Sequence, residues 1–231
     1  TNKLIVASGE VSEAAPTSEG SEKSSSSVTP VAPLFIDEEA MLAESSFAIT
    51  PDDLIQKAKV WLAEVNSGNY ERGALSDDFE FVGPVVGPLG PDAFIDAVKS
   101  FTLQDGIPDL SGQLHHLRVD PFEPSRVWFT TRTAGTHTGV LAGMEPTGKS
   151  IASPPQACSL RFNEDGTINQ YTIGYVMDRR IGNTGGLGGV FGIFYAIGRG
   201  LPFPEAQPWK MSKRYRFFNF MGDLSRKFRG E

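Results

Sequence analysis

His137 is framed by two threonines and two glycines in the stretch GTHTG (Gly135–Gly139), and PTGKS follows at Pro146–Ser150. An imidazole in a glycine-rich bend is a candidate general acid or base. A Gly-Lys-Ser run raises the question of phosphate binding, but the earlier glycine of a phosphate loop is missing and no helix is expected after the lysine. For His137 the neighbours favour a structural role, with the ring bonded to backbone while the glycines let the chain bend. His115 and His116 are adjacent in an extended run, so alternation puts them on opposite faces and only one of them can face a pocket. Asp77 and Asp78 read as a solvated turn before a strand. Cys158 is the sole cysteine, which excludes an internal disulfide and a thiolate metal cluster. With three histidines in the chain, no metal site and no cofactor are expected.

These side chains must be held by elements that the sequence marks. TPDDLIQKAKVWLAEVNSG carries an N-cap in Thr50, a proline at the first helical position and acids in the first turn. Leu54, Ile55, Ala58, Trp61, Leu62 and Val65 then recur at helical spacing until Gly68. DFEFVG (78–83) reads as a short strand, and Pro91 opens a second helix with Phe94, Ile95, Val98 and Phe101 on one side. From Gln113 the period changes to two. QLHHLRVD, RVWFTTRTA, ASPPQACSLRF and TINQYTIGYVMD read as four strands separated by turn residues. Helices followed by an antiparallel meander predict an α+β domain in which a curved sheet wraps helices.

Over residues 50–178, the order of helix, strand, second helix, RVWFTTRTAGTHTGVLAGMEPTGKSI and RFNEDGTI resembles the SnoaL-like polyketide cyclase family of the nuclear-transport-factor-like superfamily. The resemblance implies a cone-shaped, curved antiparallel sheet enclosing an apolar pocket, often with dimerisation through the sheet. Its cyclases do acid–base chemistry beside a carbonyl, using an aspartate in a stretch usually written EHWD after the DG turn. Counted from Gly166, Gln170 stands at the glutamate, Tyr171 at the histidine and Ile173 at the aspartate. An isoleucine cannot move a proton, and losing a catalytic base removes several powers of ten in rate. The pocket is expected to be lined by Phe79, Phe81, Trp128, Thr130, Arg132, Ser159, Tyr171 and Ile173. Were the chain an enzyme, His116 or His137 with Tyr171 would have to replace the missing aspartate.

The ends fall outside this resemblance. Residues 1–45 form a Ser/Glu/Pro-rich tail with eight acids and two lysines, a composition that buries little. Residues 46–180 are the α+β domain, and residues 181–231 an extension. The run LGGVFGIFYAIG (187–198) is shorter than the roughly twenty residues a spanning helix needs, so no transmembrane segment is expected. Phe191, Phe194 and Tyr195 in it read as a sticky contact surface, or as a cover for the mouth of the cone. Lys210, Lys213, Arg214, Arg216, Arg226, Lys227 and Arg229, interleaved with phenylalanines, suit an acidic protein partner or an anionic membrane surface. The formal charge of −7 disfavours nucleic acid.

The expected function is that of a non-catalytic SnoaL-like domain serving as a peripheral subunit or assembly factor of a larger complex. Two alternatives stand beside it: a cyclase, isomerase or dehydratase acting on a small hydrophobic carbonyl compound, and a carrier of a pigment or lipid. Thr1 in place of methionine reads as the scar of a removed transit peptide. An organelle is then the expected location, a chloroplast stroma or the stromal face of a thylakoid with a role in photosynthesis, and the cytoplasm is the alternative.

Overall fold

The first element, α1 (Glu38–Ala43), is closed by Asp37, whose carboxylate accepts a hydrogen bond from the Ala40 amide at 3.0 Å. A computed structural model describes residues 34–229. Residues up to Ile36 form a unit of their own, in which Leu34, Phe35 and Ile36 are described and exposed; residues from Asp37 onward form the second unit. The Ser/Glu-rich run of the expected tail lies outside the described residues. The α1 helix falls within the stretch expected as tail, and its Leu42 packs against the main core.

The long helix α2 (Pro51–Asn66) begins where its capping signals put it. The Thr50 hydroxyl accepts from the Asp53 amide at 3.3 Å and donates to the Asp53 carboxylate at 2.8 Å, closing the first turn. Its buried face is Leu54, Ala58, Trp61 and Leu62. β1 (Leu75–Val82) starts earlier than expected, so Asp77 and Asp78 are exposed strand residues rather than a turn, and Asp77 pairs with Arg72 at 2.7 Å. Then follow α3 (Pro91–Phe101), the single turn α4 (Leu103–Gly106), β2 (His115–Val119), β3 (Arg126–Thr131), β4 (Ala134–Thr136), β5 (Ser150–Ala152), β6 (Gln156–Phe162), β7 (Ile168–Val176), α5 (Gly189–Ala196) and α6 (Lys213–Arg229).

Five strands form one sheet in the order β1-β7-β6-β3-β2. The architecture is the expected α+β one with one amendment: β1 runs parallel to β7, so the sheet is mixed rather than antiparallel throughout. The expected pair of long strands is also broken. Pro154 and Pro155 offer no amide to a ladder, so the β3–β6 ribbon stops there and restarts beyond them as the separate β4–β5 pair. The Ser153 amide spans the break, donating to the Thr133 carbonyl at 2.8 Å.

The inner face of the sheet meets α2 and α3 in the main core, where Leu54, Phe79, Val127 and Leu160 are almost wholly buried. Each such side chain contributes about 1.5–3 kcal/mol through its removal from water. A second core lies under β4 and β5 and is made of Ile107, Leu141, Ile151, Ile193, Phe194 and Ile197. It takes in α5, so the glycine-rich apolar run is a packed helix rather than a sticky segment. Phe194, expected at a docking surface, is buried with its ring edge-on to Phe101 at 6.0 Å. Phe191 is half-buried against Phe203 at 5.6 Å, and Tyr195 is partly exposed.

Candidate functional site

Strand β7 shows how the site is built. Its alternation sends Tyr171 and Ile173 inward and Gln170 and Thr172 to the opposite face, and a bulge at Gly174 bends the strand across the end of the helices. Between this strand, α2, α3, the inner faces of β1 and β3 and the start of α5 lies a cavity of about 690 Å³. Its wall is mainly apolar, with Leu62, Phe81, Phe94, Phe129, Ile173 and Val190 prominent. Tyr171 is packed edge-on against Trp61 at 5.1 Å, Phe81 at 5.6 Å and Phe94 at 5.9 Å. Val85, Leu114 and Glu205 are exposed lining residues and belong to the rim.

Polar groups on the wall cluster at two places. Asn66, Tyr70, Gln104 and Thr131 form one group. There the Gln104 amide donates to the Asn66 carbonyl at 3.3 Å, Asn66 Oδ1 accepts from the Gly112 amide at 3.2 Å, and the Thr131 hydroxyl donates to the Gly112 carbonyl. At the other place, buried Gln156 accepts the Gly189 amide at 2.9 Å on Oε1, tying β6 to the start of α5. Burial raises the Tyr70 hydroxyl above the ordinary tyrosine value, against the smaller opposing effect of its bond with Gln104. Burial raises Tyr171 much further, reinforced by Cys158 and Tyr70. Both phenols therefore stay protonated and offer a hydrogen to a ligand oxygen; neither is poised as a base.

Of the residues expected to line the pocket, Phe81, Tyr171 and Ile173 do so. Phe79 belongs to the core, its ring 5.4 Å from Phe94. Arg132 is exposed beyond the end of β3. Trp128, Thr130 and Ser159 lie on the sheet's opposite face, because the inward set on β3 is Val127, Phe129 and Thr131. On that face Arg126 is the organising group. Its guanidinium donates to Glu123 at 2.6 Å, to buried Ser159 at 2.7 Å and to Gln170 at 3.0 Å, and lies 5.5 Å from the Trp128 ring centre. The Trp128 indole donates to Asp120 at 2.7 Å.

The histidines are also placed. His116 adopts φ 58°, and the register between β2 and β3 shifts there, a bulge that leaves three steps on one strand against two on the other. The expectation of opposite faces fails for that reason: the rings of His115 and His116 touch at 4.5 Å. His116 is exposed, with Thr130 Oγ1 3.5 Å from its Nδ1. His137 is fully buried. Its Nδ1 accepts the Thr147 amide at 3.2 Å and lies 3.0 Å from the Thr147 hydroxyl, which assigns the ring proton to Nε2, and that atom meets no partner among the described residues. Neither His116 nor His137 lines the cavity, and among the described residues neither is bonded to a carboxylate or a tyrosine hydroxyl.

The glycines of GTHTG have a steric reason. A Cβ on Gly139 would stand 1.9 Å from the Asp105 carbonyl oxygen, and one on Gly135 would stand 2.5 Å from Ile107. Thr136 between them donates its amide at 2.6 Å and its hydroxyl at 2.9 Å to Asp109. Those bonds, the backbone one first, hold the Asp109 carboxyl below its ordinary value. A depressed carboxyl contributes stability above its unfolded-state pKa and loses it as pH falls through the folded value.

Composition and alternation did not single out Arg126, Tyr70, Gln104, Thr131 or Gln156. Thr131 was legible as the third member of the inward set on β3; Tyr70 and Gln104 come from loop and single-turn segments that carry no period.

Cys158 is wholly buried opposite Phe129, and burial pushes its thiol up to about 12, with a backbone bond from Gly174 acting the other way. Alkylation by iodoacetamide near neutral pH is expected to be roughly a thousandfold slower in the folded chain than in denaturant. Mass spectrometry of timed samples measures it, and equal rates would contradict this placement.

No protein-family model and no curated protein matches this sequence. Solved structures do. AclR from Streptomyces galilaeus is 17% identical, covering 53% of this chain and 88% of its own, with a TM-score of 0.44. TsrD from Streptomyces laurentii is 16% identical over 65% of this chain and 98% of its own, with a TM-score of 0.45. A SnoaL-like polyketide cyclase from Agrobacterium tumefaciens is 17% identical over 52% of this chain and 87% of its own, with a TM-score of 0.39. It is to SnoaL-like polyketide cyclases and NTF2-like proteins that this chain is similar.

Proposed function

We propose that the chain is a non-catalytic holding module, a peripheral subunit of a larger assembly whose cone retains an apolar molecule bearing a neutral oxygen group. The observation that carries the reading is Ile173 in the cavity wall, where the family resemblance calls for the proton-moving aspartate. Around it the wall offers hydrocarbon, two phenols held protonated by burial and the neutral polar groups of Asn66, Gln104, Thr131 and Gln156, with Glu205 exposed at the rim. Such a wall binds by excluding water and orients its guest by donating a hydrogen bond to a carbonyl, ester or ether oxygen. The volume suits one ligand of drug or lipid-fragment size. Exposed Phe203, Trp209 and Met211, outside the cavity, support attachment to something larger.

The test is a fluorescence titration with the neutral probe N-phenyl-1-naphthylamine. The native chain is expected to bind it at a single site. Ile173→Trp, which fills the cavity, is expected to weaken binding about tenfold, the equivalent of roughly 1.4 kcal/mol of overpacking. A native chain that does not enhance probe fluorescence, or a Trp variant that binds as tightly, would sink the reading. Turnover of a carbonyl compound that disappears in His116→Ala would restore the enzyme alternative in its place.

A further inference from the structure

Helix α6 is exposed at every residue whose side chain is described except half-buried Leu224. Tyr215 and Phe218 stack on each other at 6.3 Å to one side, but most of the other apolar residues line up. Phe217, Phe220, Met221, Leu224 and Phe228 fall at spacings of three and four, which at 3.6 residues per turn gathers them into one stripe about 100° wide. Phe217 is 64% exposed and Phe228 83% exposed, so the stripe is uncovered along its length. By the same geometry Arg216 and Lys227 follow one edge of the stripe, and Arg214 lies on the other. Residues 210–229 hold seven basic side chains against one acid, Asp223, which is already paired with Arg226.

We infer that α6 lies in the headgroup region of a membrane rich in anionic lipid, with the phenylalanine stripe among the acyl chains and the arginines and lysines at the phosphates. A stripe of large apolar side chains flanked by arginine and lysine along its edges, in a helix about 25 Å long, is a composition that partitions into a bilayer surface. Charge decides against the other occupants. A second copy of α6 laid on the stripe would set two basic helices edge to edge, with no free carboxylate on either to neutralise them. The acidic segment that starts this chain has the right sign but no aromatic residue before Phe35 to cover the phenylalanines. An anionic bilayer supplies both the hydrocarbon and the opposite charge. The helix is joined to the cone through Trp209, whose ring lies under the Arg179 guanidinium at 3.6 Å.

This inference does not depend on what the cavity holds. It is tested by co-sedimentation of the full chain with vesicles of phosphatidylcholine, with and without a minority of phosphatidylglycerol, and with no cavity probe present. The chain is expected to sediment with the anionic vesicles and to be released by high salt. Neutralising two edge charges in Arg216→Gln with Lys227→Gln is expected to weaken binding roughly twentyfold, at about fivefold per basic residue. Phe217→Ser with Phe220→Ser is expected to abolish sedimentation while the thermal melt stays unchanged, since neither ring is part of a core. A chain left in the supernatant with both vesicle types, or one that binds equally well without phosphatidylglycerol or after the phenylalanine substitutions, overturns the inference. The first of these outcomes would leave an acidic protein as the partner of α6.

Discussion

His137→Ala is expected to destabilise the protein by about 3 kcal/mol, a fall of roughly 10 °C in melting temperature for a chain of this size. Two losses add. The imidazole is fully buried, so its removal leaves a void. It also leaves the Thr147 amide and hydroxyl facing that void without the ring nitrogen that now lies 3.2 Å and 3.0 Å from them. His137 clamps the hairpin: its own amide donates to the Lys149 carbonyl at 3.0 Å, and its carbonyl accepts the Gly148 amide at 2.9 Å. His137→Asn places an amide oxygen where Nδ1 stands and is expected to recover about half of the loss. Differential scanning fluorimetry of both variants decides between clamp and mere filler, since equal destabilisation by Ala and Asn would remove the hydrogen bond from the account. Probe binding to the cavity is expected to survive both changes below their melting temperatures, because the ring does not line the cavity. A variant that folds normally yet loses binding or turnover would return His137 to an active site.

That clamp also shows what the sequence could and could not reveal. Caps, proline placement and apolar spacing marked α2 and α3 to within a residue or so, because those signals act within one turn of helix. His137 sits in the bend that its flanking glycines marked, with its ring buried and bonded to Thr147. The faces of β2 and β3 were less so. Simple alternation placed Trp128 and Thr130 toward the cavity, yet the set that actually meets α2 and α3 is Val127, Phe129 and Thr131, and either set has the same period. A bulge at His116 then brought together two rings that alternation separates, and bulges have no composition of their own unless a glycine marks them. The parallel edge formed by β1 depends on a contact between residues some ninety positions apart, as between Leu75 and Ile168, beyond the reach of any local pattern. Ile173 in the cavity wall is the opposite case. The family resemblance pointed to that position, and two inward steps along β7 place it there.

The Arg126 cluster is the part of the molecule where sequence reading saw least and where a single change should cost most after His137. Arg126→Met is expected to destabilise by about 3 kcal/mol in chemical denaturation, although methionine restores much of the buried volume. Arg126 is 9% exposed on the sheet's outer face, and its guanidinium satisfies Ser159, itself inaccessible to water, together with Gln170. Without it Ser159 keeps its desolvation and loses its partner, and half-buried Gln170 loses a charge-assisted bond. Glu123 is the lesser partner, because its half-exposed carboxylate regains water once the arginine is gone. Glu123→Gln should therefore cost about 1 kcal/mol or less. Arg126→Lys is expected to resemble Arg126→Met more than the native chain, since an ammonium cannot reach Glu123, Ser159 and Gln170 as a planar fork does. If lysine restored full stability, charge alone would explain the site. If Glu123→Gln cost as much as Arg126→Met, the ion pair and not the buried bonds would be holding β3, β6 and β7 in register.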